Sequence, residues 1–419
     1  MTAPTAERFA ALTVVPDGDV HIVGSLHSAE YLAVPEIGAT VIRWLQAGES
    51  IERCAARAEE LAGEPVDVAD FVDTLVEHGL LPAGGGDDGT DGADAAGSPG
   101  APGAFGSAGT AAAGWRLVGR VLFHPVAWAV HAALAVAAVL LLVARPELRP
   151  HYTDLTPTRS ALSSLLLVSL VTVVCILVHE AGHVAAAARL GLRSSLSVSR
   201  RLYFVVFQAD LTRLWSVPRR QRFGPLLAGM ALDAATLGAF LIAQALLAPR
   251  LDADAVQILR TLVLVQISGI LIQTWIFMRT DLYALFTTAT SSRNLWVLKG
   301  ALLRRWIRRE TAADRTTLAD ATARELRWAK VFVCLYVPGL VYALGYLAYF
   351  GIPGSLRILR MAVGAIEDPG LTTLAGWSGV AALVFVFLPA SLALGGAARS
   401  GLRLLRAATR RRATAGPDA

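Results

Sequence analysis

The chain has 419 residues, 54% of them hydrophobic, and a mean hydropathy of +0.52. Soluble domains rarely reach such values, so an ordinary soluble enzyme is excluded in favour of a membrane protein. The formal charge of +5 is unevenly spread, and the three cysteines, Cys54, Cys175 and Cys334, are too far apart for a disulfide framework or a CxxC site.

The first ten residues, MTAPTAERFA, lack an apolar stretch, so insertion is expected to rest on internal spans rather than on a cleaved signal peptide. Residues 8–82 predict a small α+β domain. ALTVV (11–15), VHIVG (20–24) and EYLAV (30–34) have strand character, with PDGD (16–19) as a turn. Helical periodicity follows over 35–46, over 50–63 between a Ser50 cap and Gly63, and over 66–79 between a capping Asp67 and Gly79. Strands followed by three helices suggest a winged-helix-like module. Charge excludes DNA as its partner: residues 1–82 hold 14 Asp and Glu against four Arg and no Lys, where a DNA-binding face needs a basic footprint. No nucleic-acid partner is expected; a peptide or protein is. The strand EYLAV, the helix PEIGATVIRWLQAG and the closing DVADFVDTLVEHGLL resemble the PqqD-like domains, or RiPP recognition elements. That resemblance implies a leader peptide bound as an added strand beside the third strand and against the third helix. A regulatory or docking domain with no leader peptide is the alternative.

Residues 83–114 are almost all Gly, Ala, Asp, Ser and Pro, and cannot form a core. They predict a flexible tether with an r.m.s. span of about 30 Å that lets the front domain move relative to the rest. Six apolar runs follow, approximately 123–144, 161–188, 223–248, 257–278, 329–350 and 371–397, each long enough to span a bilayer. The intervening charge alternates. Segments 189–222, 279–328 and 398–419 hold eight, ten and six Arg or Lys, whereas 145–160, 249–256 and 351–370 hold three, one and two. This bias places both termini and the two long basic loops in the cytoplasm.

The second run contains LVHEAGHVAAAA (177–188). His179, Glu180 and His183 are costly in a span if they face lipid. At i and i+4 the two histidines share a helical face. Two imidazoles so placed can bind one zinc, with Glu180 in reach of the water that the metal activates. The bland alternative is a buried polar cluster that ties helices together. From Ala161 to His179 is about 27 Å of helix, which puts the pair near the cytoplasmic edge. A catalytic zinc needs a third protein ligand. Asp281, in FMRTDLYALF at the end of the fourth run, returns to the same depth and is the expected third ligand. Asp233 lies mid-membrane, and either orients a ligand or makes a helix–helix hydrogen bond.

His179-Glu180-x-x-His183 in one span and Asp281 at the end of a later one resemble the site-2 protease family of intramembrane zinc metalloproteases, over roughly 160–290. The resemblance implies one Zn2+ per chain held by His179, His183 and Asp281, with Glu180 as general base. The second signature in many members, Asn-x-x-Pro-x-x-x-x-Asp-Gly, reads Gln273-x-x-Ile276-x-x-x-x-Asp281-Leu282 here. Gln273 is therefore a candidate hydrogen-bond donor to ligand or substrate. RTDLY, SSRNLW (291–296) and WSVPRRQRF (215–223) look closer to a bacterial branch of peptide zinc metalloproteases, which often carries PqqD-like front domains. A bacterial inner-membrane location follows from the resemblance.

VSRRLYFVVFQADL (198–211) predicts a strand or hairpin able to pair with an extended substrate, or else an interfacial aromatic anchor. LWVLKGALLRRWIRRE (295–310) is basic and amphipathic, and is expected on the anionic inner leaflet. His124 and His131 read as interfacial or bundle-packed.

The expected architecture is a mainly α, polytopic membrane protein with about six transmembrane helices and a small N-terminal α+β, winged-helix-like domain. Residues 1–82 form the peptide-binding domain, 83–114 the linker and 115–419 the membrane metalloprotease domain. The expected function is hydrolysis of peptide bonds in or near the membrane, in a membrane-associated protein or peptide. The alternative is a non-catalytic partner in modified-peptide maturation, export or immunity. A transporter is disfavoured, because the two halves repeat no broken-helix pattern.

Overall fold

The computed structural model describes residues 3–25, 30–82, 110–201, 204–292 and 294–388, with 391 and 395. The front domain opens with α1 (Ala3–Ala10), then β1 (Leu12–Asp17), β2 (Val20–Ser25) and β3 (Tyr31–Val34) in an antiparallel sheet of order β1-β2-β3. Val15 sits opposite Ile22, and Val23 opposite Leu32. Three helices follow: α2 (Glu36–Gln46), α3 (Ile51–Ala62) and α4 (Val68–Glu77). The expected punctuation is present. Ser50 and Asp67 cap α3 and α4 by accepting from the Arg53 and Asp70 N–H groups, and Gly63 ends α3 at φ 73°. The core gathers Phe9, Val23, Ile42, Leu45 and Leu75. Helix α1 was not expected, because eight residues carry too few turns for a periodic signal, yet its Phe9 is among the largest buried side chains.

Most of the expected linker lies outside the described residues, but its last five are already helical: α5 runs Thr110–Leu122. Alanine-rich TAAAG is a good helix start, so the boundary expected at 114 moves to 109. After it come α6 (Pro125–Ala144), α7 (Ala161–Arg189), the hairpin β4 (Leu196–Arg201) and β5 (Phe204–Ala209), α8 (Arg219–Leu247) and α9 (Ala253–Gln273). Then follow α10 (Asp281–Thr290), α11 (Leu295–Trp306), α12 (Ala312–Asp320), α13 (Ala323–Tyr346) and α14 (Ile352–Glu367). The last two join through a π-turn, Leu347–Gly351, into one continuous rod.

Among the described residues, five helices are long and apolar enough to cross a membrane: α6, α7, α8 with its last turn, α9, and the α13–α14 rod. The six spans expected are thus not all seen. The expected sixth, 371–397, shows a shorter apolar helix, α15 (Leu374–Leu388), and most of its remainder lies outside the described residues. The loop expected from 351 is also absent. Pro353 has no N–H to donate, but it sits in the first turn after the π-turn, where its missing donor is absorbed without a break.

Helix α8 is the hub and touches α6, α7, α9 and α10. It packs closely because it presents glycine where neighbours approach: a Cβ on Gly238 would meet the Leu134 carbonyl oxygen of α6 at 2.4 Å. One face of α11 packs on α12 and α13 through Leu295, Leu298, Leu318 and Phe332, while Val297, Trp306 and Ile307 stay exposed.

The front domain contacts the membrane body through its β1–β2 turn. Asp17, in the β1–β2 turn region, pairs with Arg222 in the first turn of α8 at 3.4 Å, with side chains 4% and 2% exposed. Arg222 also donates to the Val217 carbonyl at 3.0 Å and stacks over Trp215. Asp19 accepts from Arg324 at 3.0 Å, and Gly18, at φ 71°, fits against Ser291. An acidic turn therefore plugs into the basic end of the bundle. Burial of Tyr31, near Asp210, Arg213 and Ser216 of the segment before α8, pushes its phenol up. Asp17→Ala removes the carboxylate facing a buried guanidinium and should cost about 3–5 kcal/mol. It should also raise hydrogen exchange across β1 and β2. Unchanged exchange in a folded variant would show that the pair does not hold the domain.

Candidate functional site

Helices α7 and α8 run antiparallel and meet as a ladder. On α7, His179 and His183 share a face; on α8, Pro225, Gly229 and Asp233 share the facing one, at i, i+4 and i+8. His183 Nδ1–H donates to the Pro225 carbonyl at 2.7 Å. His179 Nδ1–H donates to Asp233 Oδ2 at 2.6 Å. Asp233 is itself fixed by Gln266 of α9, whose amide donates to Oδ1 at 2.9 Å. Gly229 lies between the rungs, where a Cβ would come within 2.6 Å of His183 Nε2 and 2.7 Å of His179 Nε2.

Asp281 joins them from the side. It was expected at the end of the fourth span, but α9 stops at Gln273 and Asp281 is the first residue of α10. The chain turns through a 3-10 segment, Ile276–Met278, with Arg279 left-handed at φ 56°. Thr280 Oγ1 donates to the Gln273 carbonyl at 2.7 Å and holds the turn closed. The Asp281 N–H donates to the Gln273 side-chain oxygen at 3.2 Å, and the Gln273 amide reaches His179 Nε2 at 3.3 Å. Gln273 thus bridges the end of one helix, the start of the next and the histidine pair.

Three atoms converge. His179 Nε2 lies 2.7 Å from Asp281 Oδ2, His183 Nε2 lies 3.2 Å from it, and the two Nε2 atoms are 3.1 Å apart. Together His179, His183 and Asp281 form a group whose donor atoms all lie within 4.8 Å. The tautomers follow from the outer partners. A carbonyl only accepts, so Nδ1 of His183 carries the hydrogen; Asp233 dictates the same for His179. In the neutral rings both Nε2 atoms then offer lone pairs, aimed at each other and at a carboxylate oxygen. Such an arrangement is repulsive without a positive charge at its centre, either an added proton or a cation. The separations approach the edge of a tetrahedron of N and O ligands around zinc, about 3.3 Å. The residues therefore fit a zinc ion, with Asp233 and the Pro225 carbonyl setting the ligand orientation.

Glu180 projects beside the cluster and is partly exposed. Its Oε2 accepts from the Ala209 N–H, at the end of β5, at 2.7 Å. The hairpin is antiparallel, with Leu196 opposite Ala209 and Val198 opposite Phe207; residues 202 and 203 lie outside the described residues. Asp281 is 26% exposed at its side chain while the histidines are closed off, so the site opens on the side of Asp281 and Glu180.

All six residues singled out from sequence, His179, Glu180, His183, Asp233, Gln273 and Asp281, come together here. His124 and His131 do not: His124 caps α6, and His131 bonds the Leu122 carbonyl. Several participants went unnoticed, among them Gln266, which fixes Asp233, and Thr280, which closes the turn before Asp281. The Pro225 carbonyl and the Ala209 N–H are backbone groups without a sequence signal. Gly229 did carry one, since it precedes Asp233 by one helical turn. No family model, curated protein or solved structure matches the chain.

Proposed function

We propose that the protein is an intramembrane zinc metalloendopeptidase of site-2 protease type, acting on a membrane-associated protein or peptide. The observation that carries this reading is the convergence of three lone-pair donors whose outer atoms are already committed. His179, His183 and Asp281 would hold the ion. When bound, zinc would supply the positive charge that acidifies an adjacent water and polarises a carbonyl. Glu180 takes the proton from the attacking water as the C–O bond forms. The C–N bond then breaks, and Glu180 returns that proton to the leaving amine. Gln273 and Asp233 keep the histidines and Asp281 in register throughout.

An extended substrate adds to an edge of the β4–β5 hairpin, which ends at the Ala209 N–H on Glu180, so strand pairing delivers a peptide bond to the base. The front domain, of PqqD-like type, recruits a leader peptide at the outer edge of β3 and is coupled to α8 through Asp17 and Arg222. The charge bias of the loops supports cytoplasmic N and C termini, and the family resemblance supports a bacterial inner-membrane location. The site then lies near the cytoplasmic edge, where water reaches it.

The test is metal content of detergent-purified protein beside His183→Ala and Asp281→Ala. About one zinc per chain, lost in both variants, is expected. A folded wild type that takes up no zinc would reduce the cluster to a protonated histidine–aspartate contact between helices, and the enzyme reading would go with it. A non-catalytic peptide-binding partner would then be the better account.

A further inference from the structure

At the end of the bundle opposite to the histidine cluster lies a cavity of about 730 Å³, lined by the 152–159 turn, the start of α9 and α14. From Ala161, beside it, to His179 is about 27 Å of helix. Arg159, Arg357 and Arg360 all line this cavity, against one carboxylate, Asp254. On the topology proposed above, this is the face that membrane insertion keeps poor in basic residues: it holds six of the arginines in the loops and tail, against 24 Arg and Lys on the other face. The other three of those six have local tasks. Arg145 pairs with Glu147, Arg149 donates to the carbonyls of Leu142 and Val143, and Arg250 donates to the Leu246 carbonyl. They pair locally or close helix ends.

Of the cavity arginines, Arg357 alone has a side-chain partner among the described residues, the Thr156 hydroxyl. Among the described residues, no carboxylate forms an ion pair with Arg159, Arg357 or Arg360. Arg357 is aimed by a single bond, from Nε to the buried Thr156 hydroxyl at 2.7 Å, which leaves both terminal nitrogens of its guanidinium to other partners. All three are exposed at the cavity wall, and an anion seated among them would offset the mutual repulsion of their like charges. Guanidinium groups match phosphate oxygens by paired, charge-assisted hydrogen bonds. The volume exceeds what a bare phosphate fills, and Ile352 and Leu356 expose apolar surface on the same turns of α14. We infer that this cavity binds the phosphate headgroup of an anionic phospholipid, with the acyl chains along α14.

Full-length protein in detergent would be titrated with a short-chain phosphatidylglycerol, the matching phosphatidylcholine and inorganic phosphate, with adducts read by native mass spectrometry. Phosphatidylglycerol should bind at least about tenfold tighter than phosphatidylcholine, and each guanidinium removed should weaken it by about tenfold. Arg159→Gln and Arg360→Gln, which break no intramolecular bond seen here, carry the test if Arg357→Gln does not fold; Arg250→Gln is the unaffected control. Equal binding of phosphatidylglycerol to wild type and to the Arg159→Gln/Arg360→Gln double variant would overturn the site. Inorganic phosphate binding as tightly as the lipid, and displacing it, would overturn the lipid assignment and make the ligand a free phosphate. Zinc content is read in the same samples, so a failure here is distinct from a failure of the protease reading.

Discussion

Glu180→Gln should lower peptide hydrolysis by about a hundredfold to ten-thousandfold, the usual worth of a positioned general base, while zinc stays at the wild-type level. The substitution keeps the volume of the side chain and an oxygen for the Ala209 N–H, which Glu180 engages at 2.7 Å. It removes only the ability to take a proton. Glu180 is not among the three residues whose donor atoms converge, so on the proposed reading metal affinity has no reason to change. Cleavage of co-expressed candidate membrane substrates, with metal content measured on the same preparations, separates the two properties. Hydrolysis that survives in the variant would remove Glu180 from the mechanism. Loss of zinc together with activity would mean that the residue supports the metal instead. If the protein is a non-catalytic peptide-binding partner, wild type and variant are both silent, and only the front domain has a measurable ligand.

The sequence was most informative where chemistry has a price in the wrong solvent. Polar residues inside an apolar run must find partners, so His179, Glu180, His183 and Asp233 could be singled out without a structure. The caps of α3 and α4 were legible for a similar reason, because Ser50, Gly63 and Asp67 satisfy backbone groups that a helix end leaves open. Depth along the spans was enough to bring Asp281 to the histidines, but not to show that a new helix begins there. The break after Gln273 depends on Thr280 reaching back to a carbonyl and on Arg279 adopting a left-handed conformation, and neither is written in hydropathy. The loop expected after residue 350 failed in the other direction, since the apolar run ends there but a π-turn carries α13 on into α14. The seating of the front domain was half visible. An acidic domain and a basic bundle end are complementary, yet only the fold brings Asp17 to Arg222.

The residue that best tests the geometry of the site is one with no side chain. Gly229→Ala should weaken zinc binding by at least about ten- to a hundredfold and destabilise the bundle by about 1–3 kcal/mol. A methyl group there would stand 2.6 Å from His183 Nε2 and 2.7 Å from His179 Nε2, far inside van der Waals contact. Neither ring can step aside. His183 is anchored to the Pro225 carbonyl one turn before Gly229, and His179 to Asp233 one turn after it, so both anchors ride on the same helix as the intruding methyl. Relief requires α7 and α8 to separate, and a Gly182 Cβ position only 2.8 Å from Leu232 Cδ1 shows how closely they are packed. The nitrogens that the methyl displaces are the ones offered to the metal, so the strain falls on the ligand set before it falls on the fold. Gly224→Ala is the matched control: it lies on the same helix with nothing within 4 Å of the added carbon, and alanine there should be neutral or stabilising. A Gly229→Ala protein that binds zinc as tightly as the Gly224→Ala control would show that the histidine pair does not sit against α8 in this way, and the ligand geometry would have to be redrawn.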